Sequence, residues 1–133
     1  MKKKIEKIIT GAITCLIIVG TVVGTNAAET QFAAKFVDSN QYTYVCTAQQ
    51  YSYSDYAAVK ITQIYKADGS SSNYKKVYCK SMLIGEERLV EKGTWSDIPI
   101  HSSVKGAGKN NELYSKGNDP SLDCKISGYW NVH

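Results

Sequence analysis

Histidine is scarce in this 133-residue chain: only His101 and His133 are present, and no two of the four cysteines stand in a C-x-x-C spacing. The donor set of a tetrahedral zinc site is therefore missing, and no metal or other cofactor is expected. No strained G-x-S-x-G turn carries a serine nucleophile. GAGKNN, residues 106–111, has glycines and a lysine but neither the full spacing nor the following helix of a phosphate loop. There is no coiled-coil heptad, no internal repeat, and no low-complexity tract beyond Ser70-Ser71-Ser72. Helix-period apolar spacing surfaces only weakly, in QFAAKFV at 31–37, which reads either as a turn of helix or as a first strand.

Long apolar runs are also absent, with one exception. MKKKIEK opens the chain with Lys2, Lys3, Lys4 and Lys7 against Glu6, and an apolar run from Ile8 to Val23 follows. Thr25 and Ala27 then supply small residues at −3 and −1 of a cleavage site. A basic start, an apolar centre and a small-residue cut describe a secretory signal peptide. As a retained anchor the run is short against the roughly 20 residues of a membrane span, and Gly11, Gly20 and Gly24 interrupt it. The expected organisation is a signal peptide over 1–27, cut after Ala27, and one secreted domain over 28–133, extracellular or associated with the cell wall. The membrane is then met only through the signal before cleavage. The lysine-rich opening is of the kind found in Gram-positive bacteria.

Removing that segment changes the charge. The whole chain carries a net +4, but four lysines and one glutamate leave with the signal, so the mature domain has 12 basic and 11 acidic residues. A near-neutral domain has no electrostatic footprint for a phosphate backbone, so nucleic acid is excluded as a partner. About 106 residues make one domain able to bury roughly two thirds of its unfolded surface. Cys15 lies in the signal, and Ala12-Ile13-Thr14 before it lacks the leucine expected upstream of a lipidated cysteine. Cys46, Cys79 and Cys124 remain, allowing one disulfide in three pairings outside the cell. Cys79 with Cys124 is the favoured pair because both look inward, and Cys46 is the alternative partner.

What is abundant is strand pattern. QYTYVCT, 41–47, puts Tyr42, Tyr44 and Cys46 on one face and Thr43, Val45 and Thr47 on the other. In YAAVKITQIYK, 56–66, Val59, Ile61 and Tyr65 share a face. NYKKVYCKSML, 73–83, points Val77, Cys79 and Leu83 inward and Lys76, Tyr78 and Lys80 outward. Asp68-Gly69 between the last two runs tolerates positive φ and predicts a hairpin. RLVEKGTW and IPIHSSV read as short strands, Pro99 marking an edge, and 105–120 reads as mostly loop. SLDCKISGYWNV, 121–132, alternates most cleanly. Leu122, Cys124, Ile126, Gly128, Trp130 and Val132 take the core face, where the Trp130 N–H needs a partner. About six or seven short strands predict an all-β fold, an antiparallel β-sandwich or small barrel.

Catalytic groups do not converge. Asp97 precedes His101 by four residues, and Ser102 and Ser103 follow it, but nothing in the pattern places a thiol or hydroxyl beside this imidazole. Glu86, Glu87 and Glu91 read as a solvated strand face or loop. Ten tyrosines offer more: five fall within 41–56. Tyr42 and Tyr44 are set by the strand pleat, whereas Tyr51, Tyr53 and Tyr56 lie among Gln, Ser and Asp, where no core requires them. Flat, amphipathic tyrosine surface at low entropy cost suits a binding site.

Lys92-Gly93-Thr94 and Gly128-Tyr129-Trp130 resemble segments of a group of small secreted proteins of Gram-positive bacteria, rich in strands, Tyr and Ser, with a Gly-x-Trp near the end. Asn131-Val132-His133 stands where that group carries a polar Ser-Pro-Asp-like tail. In general texture the chain is also similar to lactococcin-972-like bacteriocins. The resemblance implies a secreted β protein of unassigned activity. The resulting expectation is a non-enzymatic β-sandwich that binds a cell-wall or extracellular protein or glycan ligand. The alternative is a bacteriocin-like antimicrobial acting on the envelope of neighbouring bacteria.

Overall fold

The computed structural model describes residues 28–119 and 122–132. The expected signal peptide, Pro120 and Ser121 lie outside the described residues. Eight strands form: β1 (Ala28–Val37), β2 (Thr43–Gln49), β3 (Tyr56–Lys66), β4 (Lys76–Ser81), β5 (Arg88–Glu91), β6 (Trp95–Pro99), β7 (Asn110–Gly117) and β8 (Cys124–Val132). They make two antiparallel four-stranded sheets, ordered β1-β8-β3-β6 and β2-β7-β4-β5. The sheets face each other as an open sandwich and do not close into a barrel.

The period-2 pattern explains the packing. Along β8, Cys124, Ile126, Gly128, Trp130 and Val132 are buried while Lys125, Ser127, Tyr129 and Asn131 are half-exposed. Val59, Ile61 and Ile64 of β3, Phe32 and Val37 of β1, and Val77, Val90, Ile98 and Leu113 meet them in one core. Segment 31–37 resolves as strand: Phe32 pairs with Gly128, and a bulge at Ala33 and Ala34 precedes Lys35 opposite Ile126. Ala34 takes φ +49, and its N–H donates to Ser127 Oγ at 2.9 Å.

Bulges re-phase two expected faces. In β2 the register slips between Tyr44 and Cys46, so Val45 and Cys46 are both buried and Tyr44 is exposed. Tyr44 and Cys46 therefore do not share a face. In β3 the slip between Ile61 and Gln63 turns Ile64 inward and leaves Tyr65 half-exposed, away from Val59 and Ile61. Leu83 and Leu122, expected inside, are exposed because β4 ends at Ser81 and β8 begins at Cys124.

The hairpin expected around Asp68-Gly69 does not form. The turn exists, with Gly69 at φ +89 donating to the Lys66 carbonyl at 2.8 Å and Asp68 Oδ1 accepting from Ser70 N at 2.8 Å. It leads β3 of one sheet into β4 of the other. Every connection except β4–β5 crosses the sandwich in this way. Pro99 does end an edge strand, since β6 has only β3 beside it.

Segment 105–120, read as mostly loop, contains β7, an inner strand flanked by β2 and β4. Its inward positions are Asn111, Leu113, Ser115 and Gly117, so only one is strongly apolar. The polar ones are satisfied internally. Asn111 Oδ1 accepts from Ser81 Oγ at 2.9 Å, Asn111 Nδ2 donates to the Val104 carbonyl at 3.3 Å, and Ser115 Oγ donates to the Tyr78 carbonyl at 2.8 Å. Buried polar groups persist where they are paired in this way.

No disulfide joins Cys46, Cys79 and Cys124. All three are buried, and Cys79 and Cys124 face the core as expected, but from opposite sheets. Cys124 lies close enough across the core to disfavour ionisation of the Cys79 thiol, yet the two stay unbonded. Cys46 and Cys79 share a sheet with β7 between them, two strand spacings of about 4.8 Å each, beyond the Cα separation of up to about 7 Å that a bridge spans. Cys79 Sγ instead faces Ser115 Oγ at 3.7 Å.

Candidate functional site

The segment after β2 carries the three tyrosines singled out from sequence. It is held by Gln50, which is fully buried. The Gln50 side chain donates through Nε2 to the Ser54 carbonyl at 3.2 Å and accepts at Oε1 from Gly106 N at 2.8 Å. Its backbone N–H donates to the Lys109 carbonyl at 2.8 Å, and its carbonyl accepts from Gly108 N at 2.7 Å. Gly106 and Gly108 take φ +123 and +81, which lets the second loop bring its N–H groups round to Gln50. GAGKNN, in the segment read from sequence as mostly loop, is thereby hydrogen-bonded to the tyrosine segment.

The three tyrosines divide. Tyr51 is half-buried and packs on the core, whereas Tyr53 is 67% and Tyr56 49% exposed. Between the last two, Asp55 binds Lys105 at 2.9 Å and accepts from the Tyr53 hydroxyl at 3.3 Å, and its carbonyl takes the Ile100 N–H at 2.9 Å. Lys105 Nζ also lies 5.9 Å from the Tyr53 ring centroid. The hydrogen bond and charge of Lys105 hold the Asp55 carboxyl below the usual carboxylate range, and the same bond raises the Lys105 ammonium. The ion pair is therefore intact at neutral pH and is lost as pH falls below the ordinary 3.8.

A second aromatic surface was not legible in sequence. On the outer face of β2-β7-β4-β5, Tyr44 stands opposite Tyr114, and Tyr114 opposite Lys80. In the next row Lys116 stands opposite Tyr78, and Tyr78 opposite Leu89. Tyr44 and Tyr114 meet edge to face at 5.9 Å, and the Lys80 and Lys116 ammoniums lie 4.0 and 5.0 Å from the Tyr42 ring. Burial first, then the bond it donates to Glu87, pushes the Tyr42 hydroxyl pKa upward. Alternation in β4 hinted at this face, but β7, which supplies its middle, was hidden.

The remaining reactive groups have structural occupations. His101 caps the short 3-10 turn Ser102–Val104: its Nδ1 accepts from Ser103 N at 3.2 Å and lies 2.8 Å from Ser103 Oγ. Asp97 points outward from β6. Burial pushes the Cys79 thiol up to about 12 and the Cys124 thiol up to about 11, so neither supplies a thiolate at neutral pH. Glu86 pairs with Arg88, and Glu91 is exposed opposite Lys76. At the end of the sandwich away from the tyrosine loop, a cleft of about 290 Å³ is lined by Ile64, Tyr74, Val77, Leu122 and Cys124, among others.

Comparison with family models, curated proteins and solved structures finds no match to this chain.

Proposed function

We propose that this chain is a secreted, non-enzymatic binding protein that acts at the cell envelope or on an extracellular partner. Tyr53 and Tyr56 form its contact surface. The observation that carries this reading is an exposed tyrosine pair on a segment tied down by the buried Gln50 and by the Lys105–Asp55 pair. Ordering a loop before binding removes part of the entropy cost of association, and tyrosine adds contact area with few rotamers to freeze. The signal-like start of the chain supports delivery outside the cell.

The test is adherence of the mature domain to isolated Gram-positive cell walls. Tyr53→Ser with Tyr56→Ser is the informative variant, because Tyr51 packs on the core and its loss would disturb folding. Adherence should fall while the circular dichroism spectrum and melting midpoint stay unchanged. A folded double variant that adheres as well as the parent would refute the assignment.

A further inference from the structure

Trp95 is an exposed tryptophan on an edge strand, 45% accessible, whereas the other tryptophan, Trp130, is fully buried. The β3 register places Lys60 opposite Trp95 on one side and opposite Tyr129 on the other. Two strand spacings would hold the backbones of β6 and β8 about 10 Å apart. The ring centroids are nevertheless only 6.4 Å apart, with the planes inclined by 35°. The two rings thus lean toward each other over the Lys60 position and make one shallow aromatic surface.

The adjacent outward row runs Glu29, Asn131, Ala58, Asp97 across the same sheet. Ala58 is the small member at its centre, flanked by a planar amide and a planar carboxylate. Glu29, Asp97 and Lys60 enter no ion pair among the described residues, where the pairs are Arg88–Glu86 and Lys105–Asp55. Asn131 Oδ1 is the buried side-chain polar atom among the described residues with no hydrogen-bond partner. The rest of Asn131 is half-exposed on the outward side of β8, opposite Ala58.

We infer that the outer face of β1-β8-β3-β6 is a glycan-binding surface that takes a neutral pyranose chain. Trp95 and Tyr129 stack on the apolar face of a sugar ring, while Asp97 and Asn131 bond its hydroxyls. Sugar rings offer an apolar C–H face and an equatorial rim of paired hydroxyls, which flat rings beside planar carboxylate and amide groups complement. Charge selects the class: the carboxylates Glu29 and Asp97 are balanced by Lys60 and by Lys125 farther along β8, so the face has no net positive charge to attract a phosphate-bearing or otherwise anionic polymer. Tyr56, the first residue of β3, lies on this same outer face beside the Ala58 row, so the assignment is tested through Trp95, Tyr129 and Asp97, which the loop reading does not use.

Acrylamide quenching of intrinsic fluorescence reads the site, because Trp130 is inaccessible and the quenchable emission belongs to Trp95. Chitohexaose and cellohexaose serve as neutral probes, with poly(glycerol phosphate) as the anionic comparison. At least one neutral probe should protect Trp95 saturably, and calorimetry should show that affinity is about tenfold or more weaker in Trp95→Ala and in Asp97→Ala. Lack of saturable protection by both neutral probes, preference for the anionic polymer, or undiminished affinity in folded Trp95→Ala would each overturn the inference. If Trp95→Ala does not fold, undiminished affinity in Tyr129→Ala and Asp97→Ala overturns it in the same way.

Discussion

The indole Nε1–H of Trp130 donates to the Asn111 carbonyl at 3.0 Å, joining an inner strand of one sheet to an inner strand of the other through the core. It supplies the partner that a buried tryptophan requires, and it does so from a backbone group of the strand least visible in sequence.

Replacing Trp130 with Phe keeps an aromatic ring but removes this donor and part of the packed volume. The loss should be about 2–4 kcal/mol, combining a buried acceptor left short of a bond with an underfilled core. Urea denaturation followed by far-ultraviolet circular dichroism measures it. A midpoint within error of the parent would show that the bond contributes nothing net.

Gly128 is a test of close backbone approach. A Cβ there would collide with the Lys60 carbonyl oxygen and lie 3.1 Å from Ile61 Cα, on the strand that bulges just beyond it. Because the obstacle is backbone, it cannot swing aside. Gly128→Ala should therefore cost roughly 3 kcal/mol or more, seen as a lowered melting midpoint or loss of soluble protein.

The core thiols make stability fall in alkali. Burial raises Cys79 to about 12 and Cys124 to about 11, against an ordinary 9.0 for the unfolded chain. Above pH 9 the unfolded state sheds thiol protons that the folded state keeps. Each contribution is thus whole below pH 9 and declines as pH rises toward the folded value, at up to about 1.4 kcal/mol per pH unit per thiol. Denaturation series from pH 7 to 11 should show that slope, and Cys79→Ala should flatten it. All three thiols should resist Ellman's reagent in the native protein and react once it is unfolded.

Gln50 should control the order of two loops at once. Gln50→Ala removes the bonds to the Ser54 carbonyl and to Gly106 N, at a cost of about 1–3 kcal/mol. Amide hydrogen exchange at Gly106 should accelerate, and wall adherence through Tyr53 and Tyr56 should weaken even though neither tyrosine has changed. Unchanged exchange at Gly106 would show that the second loop is held by other means.

Legibility followed apolarity. β8 alternates five buried positions against half-exposed ones, and its face assignment could be made from the chain alone. β7 follows the same geometry but fills inward positions with Asn111, Ser115 and Gly117, whose burial depends on partners from β4 and from the segment before β7. No local pattern announces those partners. The candidate site was partly legible for a related reason. Polar neighbours marked the segment of Tyr53 and Tyr56 as outside the core, but they gave no hint that Tyr51 packs inward. They also did not show that Gln50 is the anchor.

Taken by itself, the order of residues determined that this domain is built of short antiparallel strands, which side of β8 faces inward, and where the chain turns at Asp68-Gly69. Those outcomes depend on alternation and on φ preferences, which act within a few residues. Only the tertiary structure decided that β3 and β4 belong to different sheets, that three buried thiols stay unbonded, and that Trp95 and Tyr129 meet over Lys60. Strand pairing joins residues far apart in the chain. A bulge of one residue moves every side chain beyond it to the other face. The surfaces proposed for binding are therefore products of register, and register is set by the whole sandwich.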